Sequence, residues 1–191
     1  EIPKRDWSSD VCSSDLPFLD DIPNIRTAAG TGISFSIHAI DADPNPNSNP
    51  IVYLDQRLLN NNNLYIPYIA NPNKLAYEVG SSTGVVNVLP TGNFVGKESI
   101  TVATGITPSA LDYQVVPIEV VNGRQNLTLT ANDDPTHRAA NDGTPDTFLV
   151  RVNNGLLEVS INGKVAQLAT GNSVQTLIRS EEHTSELQSR F

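Results

Sequence analysis

Short runs in which apolar and polar residues alternate dominate the chain from residue 17 to residue 178. In ISFSIHAI (33–40) the apolar side chains fall at every second position, which places one face of a strand on Ile33, Phe35, Ile37 and Ala39. Similar runs follow at 51–54, 64–69, 75–79, 85–89, 99–103 and 112–121. No segment keeps the 3.6-residue apolar period of a helix. About seven strands in about 105 residues predict an antiparallel β-sandwich.

A second series of β-rich runs follows the Asn122-Gly123 pair, at 126–131, 147–152, 156–161, 164–169 and 173–178. Asn162-Gly163 separates two of these runs and predicts a type I′ hairpin, because both residues tolerate positive φ. Asn153-Asn154-Gly155 predicts a slightly longer hairpin. The polar stretch 132–146 predicts an exposed loop. This second unit is short, so we expect it to be truncated, with an apolar face that further strands would cover.

Two prolines lie inside predicted strands, Pro67 in the run 64–69 and Pro117 in the run 112–121. Proline cannot donate a hydrogen bond to a neighbouring strand. We therefore expect both strands to lie at a sheet edge or to contain a bulge.

The two ends of the chain differ in amino-acid sequence pattern from the rest. DWSSDVCSSDL (6–16) and RSEEHTSELQS (179–189) resemble peptides translated from the two strands of a sequencing-library adapter, which would bracket an insert in this way. The alternative is an acidic disordered arm followed at the other end by a short helix. The predicted organisation is a non-native tail at 1–16, a sandwich at 17–122, a partial second repeat at 123–178 and a non-native tail at 179–191.

This organisation has consequences for the ends. The only Trp and the only Cys, Trp7 and Cys12, fall in the first tail. We expect both to be exposed and both tails to lack sheet pairing. The insert lacks a start methionine and a signal peptide, and we expect it to be an internal fragment of a longer protein.

Composition excludes several classes of function. The formal charge of −9 argues against binding to nucleic acid and to anionic lipid surfaces. A single cysteine excludes an internal disulfide framework, and no apolar run approaches the roughly 20 residues of a membrane helix. The insert has neither a cysteine nor a Gly-x-Ser-x-Gly motif, and His38 and His137 lack partners at metal-ligand spacing. The sequence therefore predicts a protein that is not an enzyme.

The stretch 17–53 resembles the opening of cadherin-like and related bacterial immunoglobulin-like repeats. The matching pieces are a proline linker (Pro23), a small turn (29–31), an alternating strand (33–40) and an Ala-x-Asp-x-Asp corner (39–43). SSTGVVNVLPTGNFVGKESITV (81–102) is similar to a later passage of the same repeats. The resemblance covers about residues 18–121 and implies an all-β, cadherin-like sandwich.

The same resemblance implies a place for the chain. It is similar to modules of very large bacterial surface proteins, which are extracellular or on the cell surface. Partners would be neighbouring repeats of the parent chain, and a cell-surface protein or a polysaccharide. Some of these proteins carry an upstream cyclophilin-type peptidyl-prolyl isomerase domain, which this chain does not resemble.

Calcium is the one cofactor that the sequence suggests. Asp41 and Asp43 are alternate residues at a strand end, so their carboxylates point the same way, and Asn45 follows them. The acidic linker adds Asp20 and Asp21. Calcium takes six to eight oxygen ligands of this kind. The alternative is a corner held by Asx turns, with no ion bound.

A second acidic loop is weaker as a metal site. It contains Asp133, Asp134, Asp142 and Asp146, without the D-x-D-x-D-G spacing of a calcium loop. We interpret it as a solvated turn.

The sequence thus predicts a non-catalytic structural or adhesive module of a surface protein. One alternative is an accessory segment of an isomerase-bearing surface protein. Another is a carbohydrate-binding module, since exposed aromatic rings can stack on sugars. Its candidate residues are Tyr53, Tyr65, Tyr68 and Tyr77.

Overall fold

A computed structural model describes residues 17–40, 52–55, 70–107, 110–136, 145–179 and 187–189. The predicted strand 64–69 and the tail residues Trp7 and Cys12 lie outside the described residues.

The described chain is almost entirely β-structure, which confirms the predicted all-β class; its one helical turn is a 3₁₀ turn at Ala131–Asp133. The first-unit strands are β1 (Phe18–Leu19), β2 (Asn24–Ala28), β3 (Ile33–Ser36), β4 (Ala39–Ile40), β5 (Val52–Asp55), β6 (Leu75–Val79), β7 (Val85–Pro90), β8 (Gly96–Thr107) and β9 (Ala110–Val121). The later strands are β10 (Gln125–Leu129), β11 (Phe148–Asn153), β12 (Leu156–Ile161), β13 (Lys164–Thr170), β14 (Val174–Arg179) and β15 (Leu187–Ser189).

One eight-stranded sheet runs through most of the described chain, in the order β15-β11-β12-β13-β2-β9-β8-β5. A three-stranded sheet, β3-β7-β6, faces it. Between the two sheets lies a core that contains fully buried side chains of both, such as Ile100 and Ile118 from the large sheet and Val86 from the small one. The predicted alternation in β3 holds, because Ile33 and Phe35 are buried and the intervening Ser34 is exposed.

A second core lies on the opposite face of the large sheet. There the two-stranded sheet β10-β14 packs on β11, β12 and β13. Val159 and Ile161 of β12 are fully buried beneath Leu127 and Leu129 of β10. The eight-stranded sheet is therefore shared by two sandwiches that use opposite faces, and it crosses the predicted boundary at 122–123. That boundary stays a prediction.

Strand β2 joins the two parts of the large sheet and was missed from the sequence. It pairs in parallel with β9, with Ile25 opposite Ile118, and in parallel with β13, with Ile25 opposite Leu168. Four of its five residues are buried, so both of its faces are covered. A strand covered on both faces has no reason to alternate, which is why the pattern did not reveal it.

The sheet is mixed rather than purely antiparallel. β10 with β14 and β11 with β15 are also parallel pairs. Parallel neighbours need a crossover connection, and the sequence pattern of short alternating runs carries no signal for one. The antiparallel pairing predicted for the sandwich at 17–122 holds except for β2 with β9, which is parallel. The other three parallel pairs involve strands of the second unit or the C-terminal tail.

Pro117 does not lie in an edge strand, since β9 sits between β2 and β8. It immediately precedes Ile118, the first residue of β9 that pairs with β2. The missing N–H thus falls at the end of that ladder rather than within it. The expectation of an edge position or bulge for Pro117 is wrong.

Both hairpins of the second unit are present. Ser160 and Ile161 pair with Val165 and Lys164 across a turn in which Asn162 has φ 52° and Gly163 has φ 84°. The predicted type I′ turn is confirmed. The other hairpin also has a two-residue turn, Asn154-Gly155, and is shorter than expected because Asn153 pairs directly with Leu156.

The C-terminal tail takes part in the large sheet. Leu187–Ser189 pair in parallel with the edge of β11, with Leu187 opposite Phe148. The expectation that the tails lack sheet pairing is therefore wrong for this segment. β14 also extends to Arg179, whose guanidinium lies 4.6 Å from the centre of the Phe148 ring. An unpaired sheet edge accepts any extended backbone, whatever its side chains.

Candidate functional site

The entry linker, residues 19–22, is fixed to the start of β9 by side chains. Asp112 accepts a hydrogen bond from the Leu19 backbone N–H at 2.7 Å. The amide of Gln114 accepts from the Ile22 N–H at 3.1 Å and donates to the carbonyls of Leu19 and Asp20 at 3.2 and 3.1 Å. Two side chains thus satisfy four backbone groups of a segment that has no long strand of its own.

The sequence contains a signal for this clamp that we did not use. Asp112 and Gln114 occupy the same parity as Val116, Ile118 and Val120, which form the buried face of β9. Polar side chains on the buried face of a strand need hydrogen-bond partners. Here the partners are backbone groups of the linker.

The five predicted calcium ligands are only partly placed. Asp41, Asp43 and Asn45 lie outside the described residues. Asp20 and Asp21 are exposed, and the Asp20 carboxylate accepts a hydrogen bond from the Asp21 N–H at 2.9 Å. In the described part of the chain, no three His, Cys, Asp or Glu side chains lie close enough together to hold a metal ion.

Asp21 already has a cationic partner, which the sequence did not reveal. Nζ of Lys164 lies 2.7 Å from its Oδ2. The hydrogen bond to Asp21, its charge and that of nearby Asp20 together raise the pKa of Lys164 above its usual value. An ion at this linker would compete with an ammonium group for Asp21.

The second acidic loop is not a solvated turn at Asp134. Asp134 is 6% exposed and accepts hydrogen bonds from the backbone N–H and the hydroxyl of Thr136 at 2.8 and 2.7 Å. Its Oδ2 also accepts from Nδ2 of Asn162 at 2.6 Å, and Asp146 accepts from the same nitrogen at 2.9 Å. The loop therefore holds the β12–β13 turn. Asp142 lies outside the described residues.

Two of the four candidate tyrosines have structural roles. Tyr53 and Tyr77 pack against the main core. The Tyr53 hydroxyl accepts from the Ala39 N–H at 3.1 Å, and the Tyr77 hydroxyl donates to the Thr101 carbonyl at 2.8 Å. Neither offers a free flat ring for a sugar. Tyr65, Tyr68 and His137 lie outside the described residues, and His38 is exposed as the alternation predicted.

An open groove lies beside β10, on the face of the large sheet that β10 and β14 partly cover. Its volume is about 580 Å³, and its floor includes Arg26 of β2, Glu119 of β9 and Lys97 of β8. Arg26 is 4% exposed; its Nη1 lies 2.9 Å from Oε2 of Glu119, and its Nη2 donates to the Asn126 carbonyl at 3.0 Å. Arg26 thereby ties the floor to β10, which forms the wall.

Other buried charges are paired across strands. Glu158 of β12 accepts from Nε of Arg151 at 2.8 Å and from the amide of Asn153 at 3.0 Å, both on β11. Glu98 lies 2.7 Å from Nζ of Lys74. Pairing of this kind offsets the cost of burying the ionised carboxylates of Glu158 and Glu98.

No family model and no curated protein matches the chain. Among solved structures, it is similar to the protocadherin γB4 extracellular domain, with 16% identity over 77% of this chain and 20% of that one and a TM-score of 0.39. It is similar to domains 1–6 of the surface layer protein SbsC, with 16% identity over 81% of this chain and 18% of that one and a TM-score of 0.35.

A third similarity is to a protein of Bacteroides fragilis described as an α-galactosidase/melibiase, with 13% identity over 55% of this chain and 17% of that one and a TM-score of 0.35. The chain thus spans a fifth or less of the length of each of these structures. At such scores the similarities carry no argument about function. In the described residues, no helix has the length and apolar character needed to cross a membrane.

Proposed function

We propose that this chain is a structural or adhesive module of a large bacterial surface protein, outside the cell or on its surface, and that it works without catalysis. The observation that carries the proposal is the placement of β2. This strand is paired on both edges, with β9 of the first unit and with β13 of the second, and it runs parallel to both.

Parallel pairing at β2 suits a chain that bears load between its ends. A force along the chain pulls β2 from its first residue, Asn24. Once β15 and β14 have separated from β11 and β10, it pulls β13 from its last residue, Thr170. Because the two strands are parallel, these pulls are opposed along the strand axes, and the hydrogen bonds between the strands share the load. In an antiparallel hairpin pulled from its open end, the bonds would break one after another.

The linker clamp adds to this resistance. Asp112 and Gln114 hold residues 19–22 upstream of β2. A pull on the N-terminal side must therefore break four side-chain contacts before it reaches the sheet. Neighbouring repeats of the same parent chain are the partners that such a module would connect.

Calcium binding belongs to the same proposal. The ion would be held by carboxylate and amide oxygens, the ligands that calcium prefers, from Asp20, Asp21, Asp41, Asp43 and Asn45. It would stiffen the linker where one repeat meets the next.

Single-molecule force spectroscopy tests the load-bearing role. The Cys12→Ser/Lys164→Cys chain is pulled from its two ends and, in a second geometry, from the N-terminus and a handle at position 164, so that the loss of the Lys164–Asp21 ion pair is common to both. Lys164 lies at the same end of the β2–β13 pair as Asn24, so the second geometry peels the strands apart. We expect a clearly higher unfolding force in the end-to-end geometry. Equal or lower force in that geometry would contradict the proposal.

A further inference from the structure

The two-stranded sheet β10-β14 covers only part of the face on which it lies. It packs on β11, β12 and β13, whereas β9 of the same sheet has no strand over this face in the described residues. The apolar residues Tyr113, Val115 and Pro117 of β9 are exposed there, Tyr113 by 45% and Val115 by 41%. The alternate residues Val116, Ile118 and Val120 point to the other face of β9 and belong to the main core. β9 is therefore apolar on both faces, and one of these faces is open.

The edge of β10 away from β14 has no partner strand in the described residues, and it faces this open area. The four consecutive residues Asn126–Leu129 all line the groove, as expected when the edge of a strand rather than one of its faces borders a cavity. Gln125 donates its N–H to the Ser173 carbonyl on the β14 side, and the Asn126 carbonyl accepts from Arg26 on the groove side. The β10–β14 pair has a register shift whose extra residue lies in β14, between Val174 and Leu177. Backbone groups therefore alternate along β10, so the N–H and C=O of Thr128 also point into the groove.

We propose that this groove receives an extended peptide strand from another protein, which adds to the free edge of β10 and covers the open face of β9. The strand would hydrogen-bond to Thr128 and would place apolar side chains, at alternate positions, against Pro117 and Val115. Strand addition of this kind takes its affinity from main-chain bonds and its specificity from the alternate side chains.

Three features favour a neutral apolar strand as the occupant. The groove continues directly from the packed interface of Leu127 and Leu129 on the large sheet, so an added strand extends an existing layer. Positive and negative groups both line the floor, and Arg26 is already paired with Glu119. Arg26 also has a buried Nε with no acceptor in the described residues. A strand carbonyl is an acceptor that adds no charge.

A second copy of this chain cannot occupy the groove by pairing its own β10 with this β10. In a two-fold pair of β10 strands, each large sheet would occupy the space beneath the β10 of the other copy, because β10 packs on its own sheet. The proposal goes beyond the load-bearing role and does not depend on it.

The test measures binding of a fluorescein-labelled peptide with the sequence of 173–178, whose side chains are uncharged. This segment contains all of β14 except Arg179, and β14 pairs with the other edge of β10. Fluorescence anisotropy follows its titration with the full chain. Thr128→Pro removes the N–H that points into the groove and leaves the bonds to β14 in place. Val115→Glu puts a charge on the exposed face of β9 beside the groove, and Leu89→Glu, at an exposed apolar position on the other sheet, is the matched control.

We expect saturable binding that weakens at least about tenfold in Thr128→Pro and in Val115→Glu, and that is unchanged in Leu89→Glu. No saturable binding up to about 1 mM peptide, a concentration that corresponds to only about −4 kcal/mol, would overturn the proposal. Equal binding by all variants would also overturn it, because the peptide would then be replacing β14. Should Thr128→Pro not fold by circular dichroism, Val115→Glu decides. Self-association in sedimentation that Val115→Glu abolishes would identify a second copy as the occupant and refute the peptide assignment.

Discussion

Lys164 and Asp21 connect the β12–β13 hairpin to the entry linker, with 2.7 Å between Nζ and Oδ2. Lys164 is the first residue of β13 and follows the Asn162-Gly163 turn directly. Asp21 lies three residues before β2, which pairs with β13. The ion pair therefore closes a contact between two segments that are 143 residues apart, and it engages one of the predicted calcium ligands.

This ion pair predicts a specific loss of stability at alkaline pH. The pKa of Lys164 is raised in the folded state, chiefly by its hydrogen bond to Asp21, so the charged form favours folding. The contribution is complete below the unfolded lysine pKa of about 10.4 and disappears as the pH rises through the higher folded value. We expect the melting-temperature difference between wild type and Lys164→Met to shrink over that range.

Lys97→Met, the loss of another exposed lysine, is the control for the removal of one positive charge. High salt should also weaken the Lys164 effect, because both partners are about half exposed. A difference between wild type and Lys164→Met that stays constant across the alkaline range would refute the linkage.

The type I′ turn predicts that Gly163→Val is destabilising through the backbone alone. Gly163 has φ 84°, and an added Cβ would meet no atom within 4 Å. Strain at such a φ costs roughly 1–3 kcal/mol. Gly171→Val is the matched control, since Gly171 is also exposed, also has open space for a Cβ, and is not in the left-handed region. Urea unfolding of both variants measures the difference, and equal losses would mean that the turn does not strain valine.

Because of its hydrogen bonds, the side chain of Asn162 should contribute more to the stability of the fold than that of Asn154. Both residues have positive φ, 52° and 50°, at the first position of a hairpin turn. Only Asn162 carries bonds to Asp134, Asp146 and the Thr147 N–H. We expect Asn162→Ala to lose about 1–3 kcal/mol more than Asn154→Ala, because the buried Asp134 is left with fewer donors.

Denaturant unfolding of the two alanine variants checks this difference. Asn162→Gly separates the contributions further, since glycine relieves the positive φ while still removing the amide. If Asn162→Gly restored wild-type stability, the bonds to the acidic loop would contribute nothing.

The tails predict a small effect on stability. We expect a chain of residues 17–179 to melt within about 2 °C of the full chain, since three backbone pairs at an exposed edge are comparable to an ordinary surface change. Ending the chain at residue 178 instead removes Arg179, which stacks on Phe148 at 4.6 Å. Nε and Nη1 of Arg179 are buried, and a desolvated contact of this kind contributes about 2 kcal/mol. Calorimetry of the two truncations distinguishes them, and a much larger loss in 17–179 would mean that the ends pack on the fold.

How far the sequence predicted this fold depends on how many faces of a strand are covered. Ile33 and Phe35 alternate with serines because β3 has one buried and one exposed face, and the strand was placed correctly. Arg26 and Thr27 in β2 are both buried, so alternation failed there. The turn at Asn162-Gly163 was predictable because its chemistry is local.

The candidate site was less predictable because its contacts are long-range. Nothing near Asp21 in the sequence indicates Lys164, and nothing near Asp134 indicates Asn162, 28 residues later. Two signals were present but unused. Polar Asp112 and Gln114 continue a buried register, and the apolar Tyr113 and Val115 lie at alternate positions on the other face of the same strand. Together they indicate a strand that is contacted on both faces.

Calcium remains a prediction that thermal melting can decide. An incomplete oxygen site of this kind should bind with a dissociation constant on the order of 10⁻⁴–10⁻³ M. At about 1 mM affinity, about 10 mM calcium stabilises the folded chain by roughly 1.4 kcal/mol. For the cooperative unfolding of a chain of this size, the melting temperature should rise by roughly 3–6 °C.

The experiment compares calcium with chelator in wild type, in Asp41→Asn/Asp43→Asn and in Lys164→Met. The double variant should lose the shift. Lys164→Met should enlarge it if Asp21 is a ligand, because the ion then no longer competes with the ammonium group for the carboxylate. An unchanged shift in Lys164→Met would confine the site to the residues that follow β4. Equal melting temperatures with calcium and with chelator in every sample would leave all five residues as turn and linker residues, with Asp21 engaged only by Lys164.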